Sequence, residues 1–254
     1  MNLKWPSESR VNVSSTAQVL VPGVLGGMGP KTTIDFLAKV IRETDAATDQ
    51  EHLHLLIDHN PVVPDRTDAI SGKGESAGPH LARMAQNLES GGADFLVLTC
   101  NSAHAYQSDI EHATSIPFIS MVGEVMGVLA DRFSSRRRVG VMAARGCLDA
   151  GLYQTALEAV GFEAVVWREP ELELFTLLLE QIKADDVSQS VVEQVKSLAQ
   201  SLIDDGAQVV IAGCAEIPRV LEDEMLRVPL LNPCDILVDG VIDYSLGVRS
   251  PSFR

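Results

Sequence analysis

The chain has 254 residues, of which 46% are hydrophobic and 22% are charged, an ordinary composition for a globular protein. Its longest apolar runs are far shorter than the roughly 20 residues that cross a bilayer, so we expect no membrane-spanning segment. The 20 Lys and Arg residues against 35 Asp and Glu residues give a net charge of −15, which argues against nucleic acid and anionic membranes as partners.

Residues 1–18 are polar and are interrupted by Pro6. They lack the apolar stretch of about 7–15 residues that a secretory signal requires. We therefore expect a flexible N-terminal arm and a cytoplasmic protein. The four cysteines are far apart and form no Cys-x-x-Cys motif, so the sequence predicts reduced thiols rather than a disulfide framework or a zinc ribbon.

The rest of the chain alternates between strand-like and helix-like segments. A short apolar run at 19–26 ends in glycines, as a buried parallel strand does, and apolar residues at helical spacing follow over 33–42. A second helix is predicted at 81–90, with further helices in other connections. The remaining predicted strands are 53–58, 95–99, 116–120, 138–143, 163–167 and 208–213. This alternation predicts an α/β fold with mostly parallel sheets.

An internal repeat divides the chain into two similar parts. The segment GVLGGMG at 23–29 resembles GVMAARG at 140–146, and GADFLVLTC at 92–100 resembles GAQVVIAGC at 206–214. The spacing between the two motifs is nearly equal in both parts. We therefore predict two similar α/β domains related by a pseudo-two-fold axis. The first comprises 19–120 with about 222–254, and the second comprises 121–221.

Each repeat delivers a cysteine, Cys100 or Cys214, just past the carboxyl end of a strand, where open α/β sheets bind ligands. A turn into a helix follows each cysteine, and a helix N-terminus would lower the pKa of the thiol. A pseudo-two-fold axis would place the thiols on opposite sides of a cleft. One thiolate would then remove a proton from a carbon, and the opposing thiol would return one to the other face. We expect Cys234 to be a small buried hydrophobe, and the same for Cys147 unless it lines the cleft.

Five segments carry a resemblance to a known family, in the family's own order. The chain resembles the aspartate/glutamate racemase family, the pyridoxal-phosphate-independent amino-acid racemases. The segments are GVLGGMGPKTT (23–33), NPVVPDRT (60–67), LTCNSAH (98–104), GLYQTALEAVGFE (151–163) and AGCAEIP (212–218). The resemblance implies a two-domain fold with a cleft between the domains, Cys100 and Cys214 as the acid/base pair, no cofactor and a homodimer.

The resemblance also implies a binding site for a small amino acid. Arg66, in the PDRT segment, would grip a substrate carboxylate, and its guanidinium group has the bidentate geometry for that contact. Lys183 would bind the side-chain carboxylate, and Asn101 would hydrogen-bond the substrate. The backbone N–H groups around Met28 and Gly29 would form an anion nest. Glu216, in the family's Cys-x-Glu pattern, would have a structural role beside Cys214 without binding the substrate.

Three positions depart from the family's pattern, and we expect all three to line the substrate site. Ser102 replaces a threonine and keeps the hydroxyl group, whereas Ala215 and Cys147 replace threonines and lose it. These departures leave the substrate less determined than the reaction.

The sequence thus predicts a cofactor-independent racemase of aspartate or glutamate that acts by two-base proton transfer. Two alternatives stay open: an isomerase or decarboxylase of a dicarboxylate on the same scaffold, and a non-catalytic carboxylate-binding protein. No metal site is predicted, because no carboxylate or cysteine is placed to complete a site with His52 and His54.

Overall fold

The computed structural model of the protein describes residues 19–252, so the predicted arm at 1–18 lies outside the described residues. Two parallel sheets of four strands each organise this part of the chain. Their strand orders are β2-β1-β3-β4 and β6-β5-β7-β8, so the second sheet repeats the topology of the first. The predicted α/β fold and its internal repeat are therefore confirmed.

The first sheet and its helices occupy the N-terminal part. Pro30 opens the first helix at a position where its missing N–H would have no partner in any case. The strands are β1 (Pro22–Gly26), β2 (Leu56–His59), β3 (Phe95–Leu98) and β4 (Phe118–Ile119), and the helices are α1 (Pro30–Glu43), α2 (Arg66–Ile70), α3 (Gly78–Ser90) and α4 (Gln107–Ala113). The next helix, α5 (Met121–Arg132), follows β4, and most of its buried residues pack in the core of the second sheet.

The second sheet follows α5. Every residue of its central strand β7 is buried, which explains the continuous apolar run of that strand. The strands are β5 (Arg138–Ala143), β6 (Glu163–Val165), β7 (Val209–Gly213) and β8 (Leu230–Leu231), and the helices are α6 (Arg145–Asp149), α7 (Leu152–Ala159), α8 (Glu169–Lys183), α9 (Gln189–Asp204) and α10 (Pro233–Ser245).

The last helix returns to the first sheet. Residues of α10, among them Leu237 and Val241, share a buried cluster with Val24, Phe36 and Val97 of the first half. The helix packs on both α1 and α5. The predicted limits of the two domains remain a prediction.

Several element boundaries differ from the predicted ones. The strand predicted at 53–58 begins only at Leu56, because β1 offers partners only from Gly23 to Gly26. The strand predicted at 163–167 ends at Val165, and Trp167 instead donates a hydrogen bond to Leu198 O at 2.9 Å. The strand at 138–143 is confirmed at both ends. No helix within residues 19–252 is long and apolar enough to span a membrane.

Candidate active site

The loop after β1 is folded tightly by its own half. Thr33 of α1 accepts a hydrogen bond from Gly27 N at 2.8 Å, and its hydroxyl donates to Gly29 O. Gly27 has a φ of +96°, and a Cβ there would lie 2.5 Å from the backbone of Asn60. A side chain at Gly26 would meet Thr33 at 2.4 Å. The glycine-rich sequence is thus required by close packing at the carboxyl edge of the sheet.

Cys100 lies just past the end of β3, and only 9% of its surface is exposed. The N–H of Ala103 approaches the thiol, and the guanidinium group of Arg66 lies within hydrogen-bonding reach of it. His104 fixes the turn from behind. Its Nε2 accepts from Met121 N at 3.1 Å, so its Nδ1 carries the proton and donates to Cys100 O at 2.9 Å. Burial lowers the pKa of His104 to about 4, which keeps it neutral.

Cys214 occupies the matching position after β7 and is equally buried. Its thiol donates a hydrogen bond to Glu216 Oε2 at 3.0 Å, and the backbone N–H of Glu216 approaches the sulfur from the same turn. Each cysteine therefore follows the end of a strand and has one backbone N–H donor beside its sulfur. They differ in the charged side chain beside them.

The prediction of lowered thiol pKa values is wrong for both cysteines. Burial raises the pKa of Cys100, and the opposing effect of Arg66 does not overcome it. Burial raises the pKa of Cys214 well above its ordinary value, and the Glu216 carboxylate adds to the rise. The helices expected to oppose this are short: 3₁₀ turns follow both cysteines, and the one after Cys214 spans only Ile217–Arg219. Desolvation of a thiolate outweighs the few backbone donors available.

The structure brings the two thiols into one cleft. They are close enough that negative charge on Cys100 raises the pKa of Cys214. Cys147, on α6, is fully buried beside them, and burial together with charge on Cys100 raises its pKa to about 12. Cys234 lies elsewhere, in the cluster between α10 and the first sheet.

Arg66 is the first residue of α2 and points into the same cleft. Its Nη1 donates to the carbonyl oxygens of Val63 and Pro64 at 3.1 and 2.9 Å, which fixes the guanidinium group. The next residue, Thr67, contacts the second half, where a Cβ on Gly146 would lie 2.9 Å from Thr67 Cα. Gly146 therefore permits the close approach of α2 to α6 that carries Arg66 to the thiols.

Asn101 is buried, whereas Ser102, the next residue, is half-buried. Asn101 Oδ1 accepts a hydrogen bond at 2.6 Å from the hydroxyl of Tyr153, a residue of the second half. The amide of Asn101 is therefore held between the two halves of the molecule.

Lys183 lies at the C-terminal end of α8, with 46% of its side chain exposed. Its Nζ pairs with Glu180 at 2.9 Å. Burial lowers the pKa of Lys183, but the Glu180 pair and the charges of Glu216 and Cys214 more than compensate and raise it. Lys183 is thus a cation near Cys214 at the rim of the cleft.

The segment after α8 links the two halves at this rim. Arg219 donates to Ile182 O at 2.7 Å and pairs with Asp185 at 2.7 Å. Asp185 also pairs with Lys31, at the start of α1. This cluster of exposed charges anchors the end of α8, and with it Lys183, to the first half.

Glu216 faces the first loop across the cleft. A Cβ on Gly29 would lie 3.9 Å from Glu216 Oε1, so the carboxylate is beside the N-terminus of α1. Met28 is buried and Gly29 is half-buried at this point. The predicted anion nest therefore already has a protein carboxylate next to it. Ala215, between Cys214 and Glu216, is half-buried.

Sequence reasoning gave no role to Tyr153, although the residue lies in one of the segments that carry the family resemblance. Its contact with Asn101 joins two residues 52 positions apart, which no local spacing could reveal. Among residues 19–252, no group of three or more His, Cys, Asp or Glu side chains is placed to hold a metal ion.

Comparison with known families identifies the chain's relatives. The family model described as Asp/Glu/hydantoin racemase matches residues 25–241. The broad-specificity amino-acid racemase RacX of Bacillus subtilis is 26% identical over 90% of this chain and 99% of its own length. A glutamate racemase of Persephonella marina is 29% identical over 59% of this chain and 57% of its own length.

Solved structures show the same fold. An aspartate racemase of Picrophilus torridus superposes with a TM-score of 0.77, covers 89% of this chain and 94% of its own, and is 22% identical. A glutamate racemase of Francisella tularensis in complex with D-glutamate gives a TM-score of 0.70, covers 93% of this chain and 87% of its own, and is 15% identical.

Proposed function

Because the chain belongs to the Asp/Glu/hydantoin racemase family and is an amino-acid racemase, we propose that it interconverts L- and D-aspartate or L- and D-glutamate. The proposed reaction needs no cofactor and uses Cys100 and Cys214 as its two bases. The observation that carries this proposal is the pair of buried, electrostatically coupled thiols on matching turns of the two halves.

The proposed proton transfer begins with one thiolate and one thiol. Cys100 is the thiol with a cation in hydrogen-bonding reach, because the guanidinium group of Arg66 lies beside it and stabilises its anion. Its thiolate removes the α-proton from one face and becomes a thiol, and the electron pair of the broken C–H bond stays on the substrate. Cys214 then delivers its proton to the opposite face and becomes a thiolate. The product leaves with inverted configuration, and the two cysteines have exchanged protonation states.

Glu216 fits the second cysteine to the role of the acid. The Cys214 thiol donates its hydrogen bond to this carboxylate, whose charge raises the pKa of the thiol and keeps its proton on the sulfur until it is delivered. The reverse reaction starts from the state that the forward reaction leaves, with Cys214 as the thiolate and Cys100 as the thiol, and follows the same path in the opposite direction.

The preference for an acidic amino acid rests on the cations of the cleft. Arg66 is fixed beside Cys100 by two carbonyl oxygens and suits a carboxylate. Lys183 lies on the Cys214 side and suits a second carboxylate at the rim. The names of the relatives, which include glutamate and aspartate racemases, agree with this substrate class.

The test is incubation of L-aspartate and L-glutamate with the protein in D₂O without pyridoxal phosphate. NMR measures α-deuteration, and chiral chromatography measures the enantiomer ratio. We expect Cys100→Ala and Cys214→Ala each to lose racemisation by about 10³-fold, while one-sided proton exchange can survive. Cys234→Ala, a buried cysteine outside the cleft, is the control and should keep wild-type activity.

Racemisation retained in either site variant would contradict the two-base mechanism. Turnover of maleate or a malonate derivative without racemisation of either amino acid would favour an isomerase or decarboxylase. Binding of aspartate with no loss of optical rotation would favour a non-catalytic protein.

A further inference from the structure

Tyr153, on α7 of the second half, reaches the turn that carries Cys100 in the first. The side chain is fully buried, and its hydroxyl lies 2.6 Å from Asn101 Oδ1. The proposed proton transfer does not use this residue. This buried hydrogen bond between the two halves fixes the orientation of the Asn101 side chain.

The bond determines which end of the Asn101 amide remains for a ligand. A buried hydroxyl group must donate its one proton, whereas an unfilled oxygen lone pair costs less. Burial, followed by charge on Cys147, raises the pKa of Tyr153 well above its ordinary value, so the phenol keeps this proton. Tyr153 therefore donates to Oδ1. The amide NH₂ group makes no hydrogen bond to any residue in 19–252 and is left for a substrate oxygen.

The ring of Tyr153 is anchored against the other thiol-bearing strand. A Cβ built on Gly213 would lie 3.2 Å from Tyr153 Cε2, so the ring packs directly on this glycine. Gly213 is the residue before Cys214, and Asn101 is the residue after Cys100. One rigid side chain thus contacts the chain next to both thiols.

We infer that Tyr153 is a positioning residue that aims the Asn101 amide NH₂ group at the substrate and fixes it relative to Cys214. This inference rests on the proposed function, in which Asn101 binds the substrate between the two thiols. Tyr153 itself does not touch the substrate. Its effect on the reaction passes through Asn101.

The test compares Tyr153→Phe with Tyr244→Phe. Tyr244 is the matched control, because it is also buried and its hydroxyl also donates to a buried acceptor, Glu124 Oε1 at 2.9 Å, but on α10. Loss of the Tyr153 hydroxyl frees the amide to rotate, so we expect KM for the racemised amino acid to rise about tenfold. The control should change KM less than twofold. An equal change in KM in the two variants would overturn the inference.

A second comparison separates a positioning role from a merely structural one. Adding Tyr153→Phe to Asn101→Ala should change KM less than twofold, because the hydroxyl then has no amide left to orient. Independent, multiplying effects of the two substitutions would show that Tyr153 acts by another route and would overturn the inference.

A third measurement does not depend on activity. The side-chain amide signal of Asn101, assigned by its loss in Asn101→Ala, is followed by ¹H–¹⁵N NMR. We expect it to shift in Tyr153→Phe and to stay in place in Tyr244→Phe, and an unmoved signal in Tyr153→Phe would overturn the inference. If the wild-type protein racemises neither aspartate nor glutamate, the proposed function fails, while this signal still decides the role of Tyr153.

Discussion

The turns that carry Cys100 and Cys214 have a similar backbone arrangement, but the charged side chains beside the two thiols are of opposite sign. Both cysteines follow the inner strand of a four-stranded sheet, and a backbone N–H of the same turn approaches each thiol. Arg66 lies beside Cys100, whereas Glu216 accepts the hydrogen bond of Cys214. The cation favours a thiolate at Cys100, and the carboxylate favours a thiol at Cys214. Burial raises the pKa of both thiols, and the charged neighbours of a symmetric framework oppose that rise at Cys100 and add to it at Cys214. The proposed two-base reaction uses this difference.

The segments after β1 and β5, the first strand of each half, differ in which half of the molecule packs against them. Thr33 and Asn60 close the first loop from within its own half. The matching segment after β5 is packed by the other half, since Gly146, in the first turn of α6, lies against Thr67 of α2. This contact positions α2, and so Arg66, over the thiols. The asymmetry of charge thus depends on the packing of one half against the other.

Among the changes to charged side chains, the largest expected effect is that of removing the cation beside Cys100. In Arg66→Met, the substrate carboxylate loses a charge-assisted hydrogen bond, and we expect kcat/KM to fall by about 100-fold. The pKa of Cys100 should rise further, because the cation that opposes the rise is gone. The pH dependence of iodoacetamide alkylation, followed by peptide mass spectrometry, measures the second effect.

The control for this variant is Arg227→Met. Arg227 pairs with Asp204 at 2.7 Å, and both side chains are more than half exposed. The control should keep wild-type kcat/KM and the wild-type alkylation profile of Cys100. An unchanged alkylation profile in Arg66→Met would show that Arg66 does not lower the pKa of Cys100. It would contradict the proposed electrostatic difference between Cys100 and Cys214.

On the Cys214 side of the cleft, we expect a smaller loss of activity and a thiol pKa that shifts in the opposite direction. Glu216→Gln keeps the shape of the side chain and removes the charge that raises the pKa of Cys214. The pKa of Cys214 should therefore fall, and its alkylation at a given pH should become faster. We expect kcat to fall about tenfold, because a neutral amide oxygen accepts the hydrogen bond of the Cys214 thiol more weakly than the carboxylate and fixes the acid less firmly.

Glu163→Gln is the matched control for Glu216→Gln, since Glu163 pairs with Arg138 at the exposed edge of the second sheet. It should leave the alkylation profile of Cys214 and kcat unchanged. Slower alkylation of Cys214 in Glu216→Gln would mean that the carboxylate stabilises the thiolate and would reverse the assigned sign.

The smallest effect is expected at the rim. Lys183 is nearly half exposed and already paired with Glu180, so its contribution is screened by solvent. We expect Lys183→Met to raise KM for aspartate and glutamate by less than about fivefold. Glu180→Gln should lower KM, since it frees the lysine for a substrate carboxylate. Steady-state kinetics on both amino acids measures these changes, and a lower KM in Lys183→Met would exclude a role in binding.

The predicted elements failed where tertiary contacts set their limits. The α/β alternation and the strand at 138–143 follow from local apolar pattern. The late start of β2 depends on the short length of β1, and the early end of β6 depends on the hydrogen bond that Trp167 donates to Leu198 O. Strand ends are defined by partners, and a local pattern contains no information about them.

The predicted thiol pKa values failed for a similar reason. A cysteine before a turn suggests a helix dipole, but the pKa depends on burial and on charges brought from elsewhere. Burial raises the pKa of both thiols, and Arg66, which opposes this at Cys100, is 34 positions away in the sequence.

The sequence by itself determined the α/β fold, its repeat and the placement of a cysteine after an inner strand of each half. It did so because apolar periodicity and the strand-to-turn change are local features. Only the tertiary structure decided that Arg66 lies beside one thiol, and that Tyr153 joins Asn101 to the chain before Cys214. These contacts join residues from distant parts of the chain, and only the packing of the two halves brings them together.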